Sequence, residues 1–323
     1  MMIEKSREAR RSAGGVDRTI LLEVNGTRQR LRLCAGRAGL PPILIVQAGP
    51  GFPLLNEVEK FQRRLGLEED FTVAYWDQRA CGPASSSDVQ GLTLTTQVDD
   101  LCVVLKWLQA ETTQQVVVLG ISLGATVALR AAARAWDSVK ALVLVSIDVD
   151  TTASDVSTLT YLQDQASRSN DRKMATFVAK LGPPPYTTPS PFQLRARMLA
   201  DLGVVERGKR FSTLLLELLP SLIRTYGLLG ALRALRNMNS VQRRMLPELA
   251  ELDLLSNWPR RTVPTHYIFG GNDPLVPASI RQKVSEVVTS GDSMTLLPDA
   301  GHMAHFDEPV IVRSMIKRAH GID

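Results

Sequence analysis

Four short segments, residues 43–46, 71–76, 116–119 and 141–145, are apolar almost throughout, without polar alternation. Runs this short do not make stable helices. A strand that offers neither face to water has to lie inside a sheet covered on both sides. Segments with helical spacing separate them, at 54–65, 96–108 and 123–135. Alternating strands and helices predict a mostly parallel sheet with helices on both faces, an α/β fold. Two strands with period-two patterning, 19–24 and 29–34, precede the series. Asn25-Gly26 joins them, and the tolerance of both residues for positive φ makes the pair a hairpin turn. Helix 96–108 is expected to open on a capping box between Thr96 and Asp99.

The alternation stops near Asp148. From 150 to 258 the chain offers helical patterns punctuated by Pro183-Pro184-Pro185, Pro189 and Pro191, and no strand. It resumes with strand 265–269, helix 280–289, strand 294–297 and helix 309–319. The expected organisation is a disordered tail, 1–18, an α/β core, 19–149 and 259–323, and an all-helical cap, 150–258, inserted over the sheet.

Gly120-Ile121-Ser122-Leu123-Gly124 ends a buried strand and opens an Ala-rich helix. A tight turn there holds the serine exposed in a strained backbone conformation, and small residues two before and two after let strand and helix close. The helix start places the Leu123 N–H where negative charge would develop. A hydroxyl is a weak nucleophile; it needs a base, and the base an orienting acid. Of the four histidines, His266 lies within a strand and His320 at the end of the chain. His302 follows Ala300-Gly301 in a loop after a strand, where the sites of open α/β sheets form, and is preferred over its neighbour His305. Asp273, in Gly270-Gly271-Asn272-Asp273-Pro274, is the first choice of acid, and Asp148, after the preceding strand, the alternative; either could also be a turn residue. Gln47-Ala48-Gly49-Pro50-Gly51 is turn chemistry in its own right, and it can also aim the N–H of Gly49 or Ala48 at a substrate oxygen.

Composition excludes more than it assigns. The net charge of +5 is scattered in doublets such as Arg63-Arg64, with no long basic run interleaved with aromatics, so no nucleic-acid partner is expected. Cys34, Cys81 and Cys102 are odd in number and widely spaced, which argues against a disulfide framework and a zinc cluster. They read as reduced thiols, with Cys81 the one near enough to the site to be reactive. The basic residues Lys5, Arg7, Arg10 and Arg11 have no apolar stretch behind them, unlike a secretory signal. Glu217, Pro220, Arg224 and Arg233 interrupt the longest apolar stretch, 211–235, so no membrane span is expected and the cytoplasm is the default location.

These residues resemble the α/β-hydrolase superfamily, and within it the proline iminopeptidase-like branch. The stretch 47–51 is similar to that branch's H-G-G-P-G loop, and Asp77-Gln78-Arg79-Ala80-Cys81-Gly82 to its D-Q-R-G-x-G. With the elbow, Gly270-Gly271-Asn272-Asp273 and Ala300-Gly301-His302, the resemblance covers 19–149 and 262–320 and stops at the cap. It implies a serine hydrolase working through an acyl-enzyme. Ser122 would attack a carbonyl with His302 as base and Asp273 holding the imidazole. The N–H groups of Gly49 and Leu123 would bind the oxyanion, and no cofactor or metal is implied. Gln47 stands where the branch has histidine, Ala48 and Ala80 where it has glycine, and Pro83-Ala84 where it has Arg-Ser.

The Trp-Glu pair with which those peptidases meet a substrate ammonium is not matched. Glu217, in the apolar stretch 214–219, could be such a carboxylate or the solvent face of an amphipathic helix. Leu228, Leu229, Leu232, Leu235, Met238 and Met245 suit either a core or the wall of a lipophilic pocket. The expectation is cleavage of an ester or lactone of a small hydrophobic substrate. Aminopeptidase or amidase action comes second, and a non-hydrolytic small-molecule receptor or lyase third; association into a homo-oligomer is left open.

Overall fold

The computed structural model describes residues 14–84, 86–260 and 262–322, so residues 1–13 of the expected tail lie outside the described residues. Residues 16–18, also assigned to the tail, are instead the start of β1 (Val16–Val24), which pairs antiparallel with β2 (Thr27–Ala35). The extension has a cause on the opposite strand: Asp17 takes two hydrogen bonds from the Arg32 guanidinium, at 2.8 and 2.9 Å. Asn25 and Gly26 make the turn at φ 45° and 76°, with Val24 opposite Thr27.

Six more strands follow: β3 (Pro42–Val46), β4 (Thr72–Asp77), β5 (Val116–Ile121), β6 (Val139–Val145), β7 (Thr265–Gly270) and β8 (Ser293–Leu297). The sheet order is β1-β2-β4-β3-β5-β6-β7-β8, and every pair from β4 to β8 is parallel. Helices α1 (Val58–Leu65), α2 (Leu94–Thr112) and α3 (Leu123–Ala132) connect the first strands. The all-apolar strands split their side chains by parity. Leu44, Val46, Val116, Val118 and Leu144 enter one core with α2 and α3, while Ile43, Ile45, Val117 and Leu119 enter another with α1 and the last helix of the chain. Covering both faces is what permits a strand with no polar side.

Helix α2 begins two residues earlier than expected. Its box joins Thr93 to Thr96, through Thr96 N–H on Thr93 Oγ1 at 3.0 Å and Thr93 N–H on Thr96 Oγ1 at 2.8 Å. Asp99 is drawn off to an ion pair with Arg134 at 2.6 Å. The expected helix 54–65 divides into a 3₁₀ turn, Leu55–Glu57, and α1, because Asp77 captures the backbone N–H groups of Leu54 and Leu55.

Between β6 and β7 the chain forms α4 (Thr151–Ser169), α5 (Arg172–Leu181), α6 (Pro189–Asp201) and α7 (Phe211–Leu249). Leu162, Leu181, Tyr186 and Leu199 give the first three a small core of their own. The breaks read from the sequence do not end α7, which by length and composition is able to cross a bilayer. It kinks at Gly227 (φ 70°, ψ 169°), and beyond the kink buries Val241, Met245 and Leu249 in the main core. Leu228, Leu229 and Leu232 face outward, neither core nor pocket wall. The core then closes with α8 (Ala278–Val287), α9 (Ala304–Asp307) and α10 (Pro309–His320).

Candidate active site

Ser122 sits between β5 and α3 at φ 52°, ψ −123°, a region L-residues avoid and occupy only when held there. Its N–H donates to Val145 O at 2.9 Å, tying the turn to the end of β6. The flanking glycines have a steric reason. A Cβ on Gly120 would stand 2.7 Å from Ala125 Cα, and one on Gly124 would stand 2.3 Å from Val46 O and 2.4 Å from Gln47 O. The elbow therefore has backbone pressed against backbone on both sides.

His302 follows β8, and its Nδ1 lies 2.8 Å from Oδ2 of the buried Asp273, which follows β7. The other Asp273 oxygen accepts the Leu275 N–H at 2.9 Å, which fixes the carboxylate in its turn. The cap holds the histidine loop from above, with His302 N–H on Val204 O at 2.9 Å and Met303 N–H on Val205 O at 2.7 Å. Asp148 is not bonded to the imidazole. Its Oδ2 accepts from the Thr151 hydroxyl at 3.0 Å, its Oδ1 has no partner among the described residues, and burial raises its pKa above the usual carboxylate range.

The other histidines are placed differently. His305 is buried and stacked on Phe61 with ring centroids 5.5 Å apart, and burial holds its pKa far below the usual value. His266 bonds Ser293 Oγ at 2.7 Å. His320 is no loose end: it is the buried last residue of α10, and its carbonyl accepts from Lys140 at 2.6 Å.

The loop after β3 separates its two candidate donors. Ala48 N–H is engaged by Gln47 Oε1 at 3.2 Å, whereas among the described residues Gly49 N–H has no acceptor. Gly49 lies against the elbow, close enough that a Cβ on it would meet Leu123 Cδ2 at 3.2 Å. As the first residue of α3, Leu123 has an N–H with no partner inside the helix. The Asp77-Gln78-Arg79 triplet ties the surroundings of this loop together, though only Gln78 bonds the loop itself. Asp77 accepts from Leu54, Leu55 and, at 2.7 Å, the Tyr226 hydroxyl of the cap; Gln78 donates to Gln47 O at 3.2 Å; Arg79 grips Asp100 of α2 at 2.7 and 2.8 Å. Cys81 is buried beside them, and burial pushes its thiol pKa up, away from the thiolate that a reactive cysteine needs.

A cavity of about 970 Å³ lies between sheet and cap, and Ser122, His302, Gln47, Ala48, Gly49 and Leu123 all line it. Much of its wall is apolar, including Phe192, Leu214, Leu218, Leu235, Met238 and Leu246. One region is charged. Buried Glu206 holds Lys60 and Lys209, each at 2.7 Å, and Lys209 also holds the half-exposed Glu217 at 2.6 and 2.8 Å. Glu217 thus lines the cavity with its charge already matched. Glu57, unremarked in the sequence, lines it too, and its carboxylate makes no hydrogen bond or ion pair among the described residues. Burial raises the Glu57 pKa against the pull of Lys60. Its only sequence signal is its position just past the Gly-rich loop.

A hydroxyl on a strained strand–helix turn and an imidazole tied to a buried carboxylate open together on a cavity roofed by a helical cap. On this sheet they define a hydrolase of the α/β class. The chain belongs to the alpha/beta hydrolase family, whose profile matches residues 43–314. A Bacillus subtilis (strain 168) protein described as "Probable aminopeptidase YbaC" is 24% identical over 305 residues, spanning 92% of this chain and 94% of its own. Among solved structures, a proline iminopeptidase-related protein from Thermus thermophilus superposes with a TM-score of 0.59 at 20% identity, covering 95% of this chain and 98% of that one. An esterase from Exiguobacterium antarcticum does so with a TM-score of 0.57 at 17% identity, covering 93% and 98%.

Proposed function

We propose that the chain is a serine hydrolase that cleaves an ester or lactone of a small, largely hydrophobic substrate through an acyl-enzyme. The observation that carries this reading is the 2.8 Å contact of Asp273 with His302 Nδ1, on an imidazole that shares one cavity with Ser122. A carboxylate on Nδ1 keeps the proton there and leaves Nε2 as the base. His302 takes the Ser122 proton as Oγ attacks the carbonyl carbon. The N–H groups of Gly49 and Leu123 receive the charge that moves to the carbonyl oxygen. His302 then protonates the departing alkoxide, and a water activated by the same nitrogen releases the acid. Ala48 is a spectator donor, held off by Gln47. The apolar cap wall favours a lipophilic body, since each buried methylene adds about 0.8 kcal/mol to binding.

The test is labelling by a fluorophosphonate together with p-nitrophenyl esters of increasing acyl length. Labelling is expected in the wild type and absent in Ser122→Ala, with kcat/KM rising from acetate to hexanoate. Equal labelling of both proteins would remove Ser122 from its role. A steady fall in kcat/KM with length would refute the lipophilic pocket.

Aminopeptidase action is the second reading, and Glu57 favours it. A cavity carboxylate without a protein cation bonded to it is the group a substrate ammonium needs. Both the Bacillus relative and the Thermus structure carry peptidase names. Turnover of prolyl or alanyl anilides, lost in Glu57→Gln while ester turnover persists, would select this reading.

A further inference from the structure

Most of the large apolar side chains that the fold leaves exposed lie on one helix, α7. Before the kink at Gly227 they are Leu215, Leu216, Leu219 and Ile223, at the spacing of a single helical stripe. Beyond it Leu228, Leu229 and Leu232 are 62%, 80% and 57% exposed, again at stripe spacing. Single exposed leucines need no explanation, but a run of them along one helix marks a surface that something covers. The stripe beyond the kink continues into charge. Arg233, Arg236, Arg243 and Arg244 are exposed on the same outward side, while Ala231, Ala234, Asn237 and Val241 between them turn inward and are buried. None of these four guanidinium groups has a hydrogen-bond or ion-pair partner among the described residues. From 218 to 247 the chain carries no carboxylate to match them. Leu228 to Arg244 spans roughly 24 Å along the helix axis.

We propose that this outward face of α7 docks the protein on an anionic bilayer, with the leucines in the edge of the hydrocarbon and the arginines on lipid phosphates. A bilayer takes leucines without a matching pocket and offers phosphates wherever the arginines fall. An acidic protein would need three hollows in register with its carboxylates. A second copy of the chain fits worse. A two-fold pairing of this face puts leucines on arginines when the helices run antiparallel, and arginines on arginines when they run parallel. The helix lies along the bilayer and does not cross it, because Val241, Met245 and Leu249 on its inner side are packed in the main core. Docking there sets a lipophilic source beside the cavity. Leu214, Leu215 and Leu218 of the same helix line that cavity, and Leu215 is also one of the exposed leucines.

The experiment is co-sedimentation of the protein with vesicles of phosphatidylcholine alone and of phosphatidylcholine and phosphatidylglycerol at about 7:3. Partition into the mixed vesicles is expected to be about tenfold or more stronger than into the neutral ones, and to weaken as salt is raised. Arg233→Gln with Arg236→Gln should lower it about fivefold for each arginine. Leu228→Gln with Leu229→Gln should lower it about tenfold or more. Thermal melting checks that both variants fold, as expected of side chains this exposed. Arg168→Gln, at an exposed arginine on α4, should change nothing. Equal partition of all four proteins would overturn the docking. So would failure to bind either vesicle, whether sedimentation velocity then shows two copies paired through these leucines or an acidic protein is found on the face. Partition is read without substrate, so its failure leaves the hydrolase reading untouched, and absence of labelling at Ser122 leaves the docking standing.

Discussion

Replacing Asp273 by asparagine leaves the shape of the site and removes one charge. In the wild-type geometry the imidazolium formed as Ser122 attacks lies beside the carboxylate, with Nδ1 and Oδ2 2.8 Å apart. With charge centres about 4 Å apart and an effective dielectric near 20, the attraction is about 4 kcal/mol, or roughly 10³ in rate. The asparagine NH₂ also favours the wrong imidazole tautomer, so a total loss of about 10³–10⁴ in kcat is expected, with KM changed little. Asp148→Asn should cost less than about tenfold on the same plain ester, because no hydrogen bond joins Asp148 to His302. Steady-state kinetics on p-nitrophenyl butyrate at pH 8 decide it. If Asp148→Asn were as damaging as Asp273→Asn, the assignment of the acid from the 2.8 Å contact would be refuted.

Gly124→Ala should destabilise the protein by roughly 3 kcal/mol or more and depress activity, since its methyl would sit 2.3 Å from Val46 O and displace the Gly49 loop; thermal melting and ester turnover together check this. Glu57 has a folded pKa raised above its ordinary 4.5, so the folded state holds the proton more tightly and stability declines as pH rises from about 4.5 through the folded value. Glu57→Gln should lack that decline and gain stability relative to wild type as pH rises across the window; parallel urea-unfolding curves at pH 4.5, 6 and 7.5 would contradict it. Arg195→Met leaves buried Asp155 without its cation and should cost about 3–5 kcal/mol in unfolding free energy, far more than an exposed arginine such as Arg168.

Several features of this molecule are local enough to be read along the chain. The hairpin at Asn25-Gly26 follows from two residues that accept positive φ, and the doubly buried strands follow from runs with no polar side. The elbow is legible because two glycines, a strand and a helix occupy consecutive positions. Where a competing partner lies far off in sequence, the local pattern misleads. Arg134 takes Asp99 away from the α2 cap, Asp77 breaks the helix expected from residue 54, and the outward turn of Leu228, Leu229 and Leu232 depends on which side of α7 meets the core.

The α/β architecture, the inserted helices and the strand ends that carry Ser122, Asp148, Asp273 and His302 are legible along the chain, because periodicity and turn chemistry act over a few residues. Tertiary structure alone decided which aspartate reaches His302, since β7 and β8 are neighbours in the sheet and Asp148 is turned to Thr151. It also decided that Ala48 rather than Gly49 has its N–H engaged by Gln47 among the described residues, that Lys209 matches Glu217, and that Glu57 faces the cavity. Each of these is a choice among chemically equivalent groups. What separates them is a distance of a few ångströms between segments that only folding brings together.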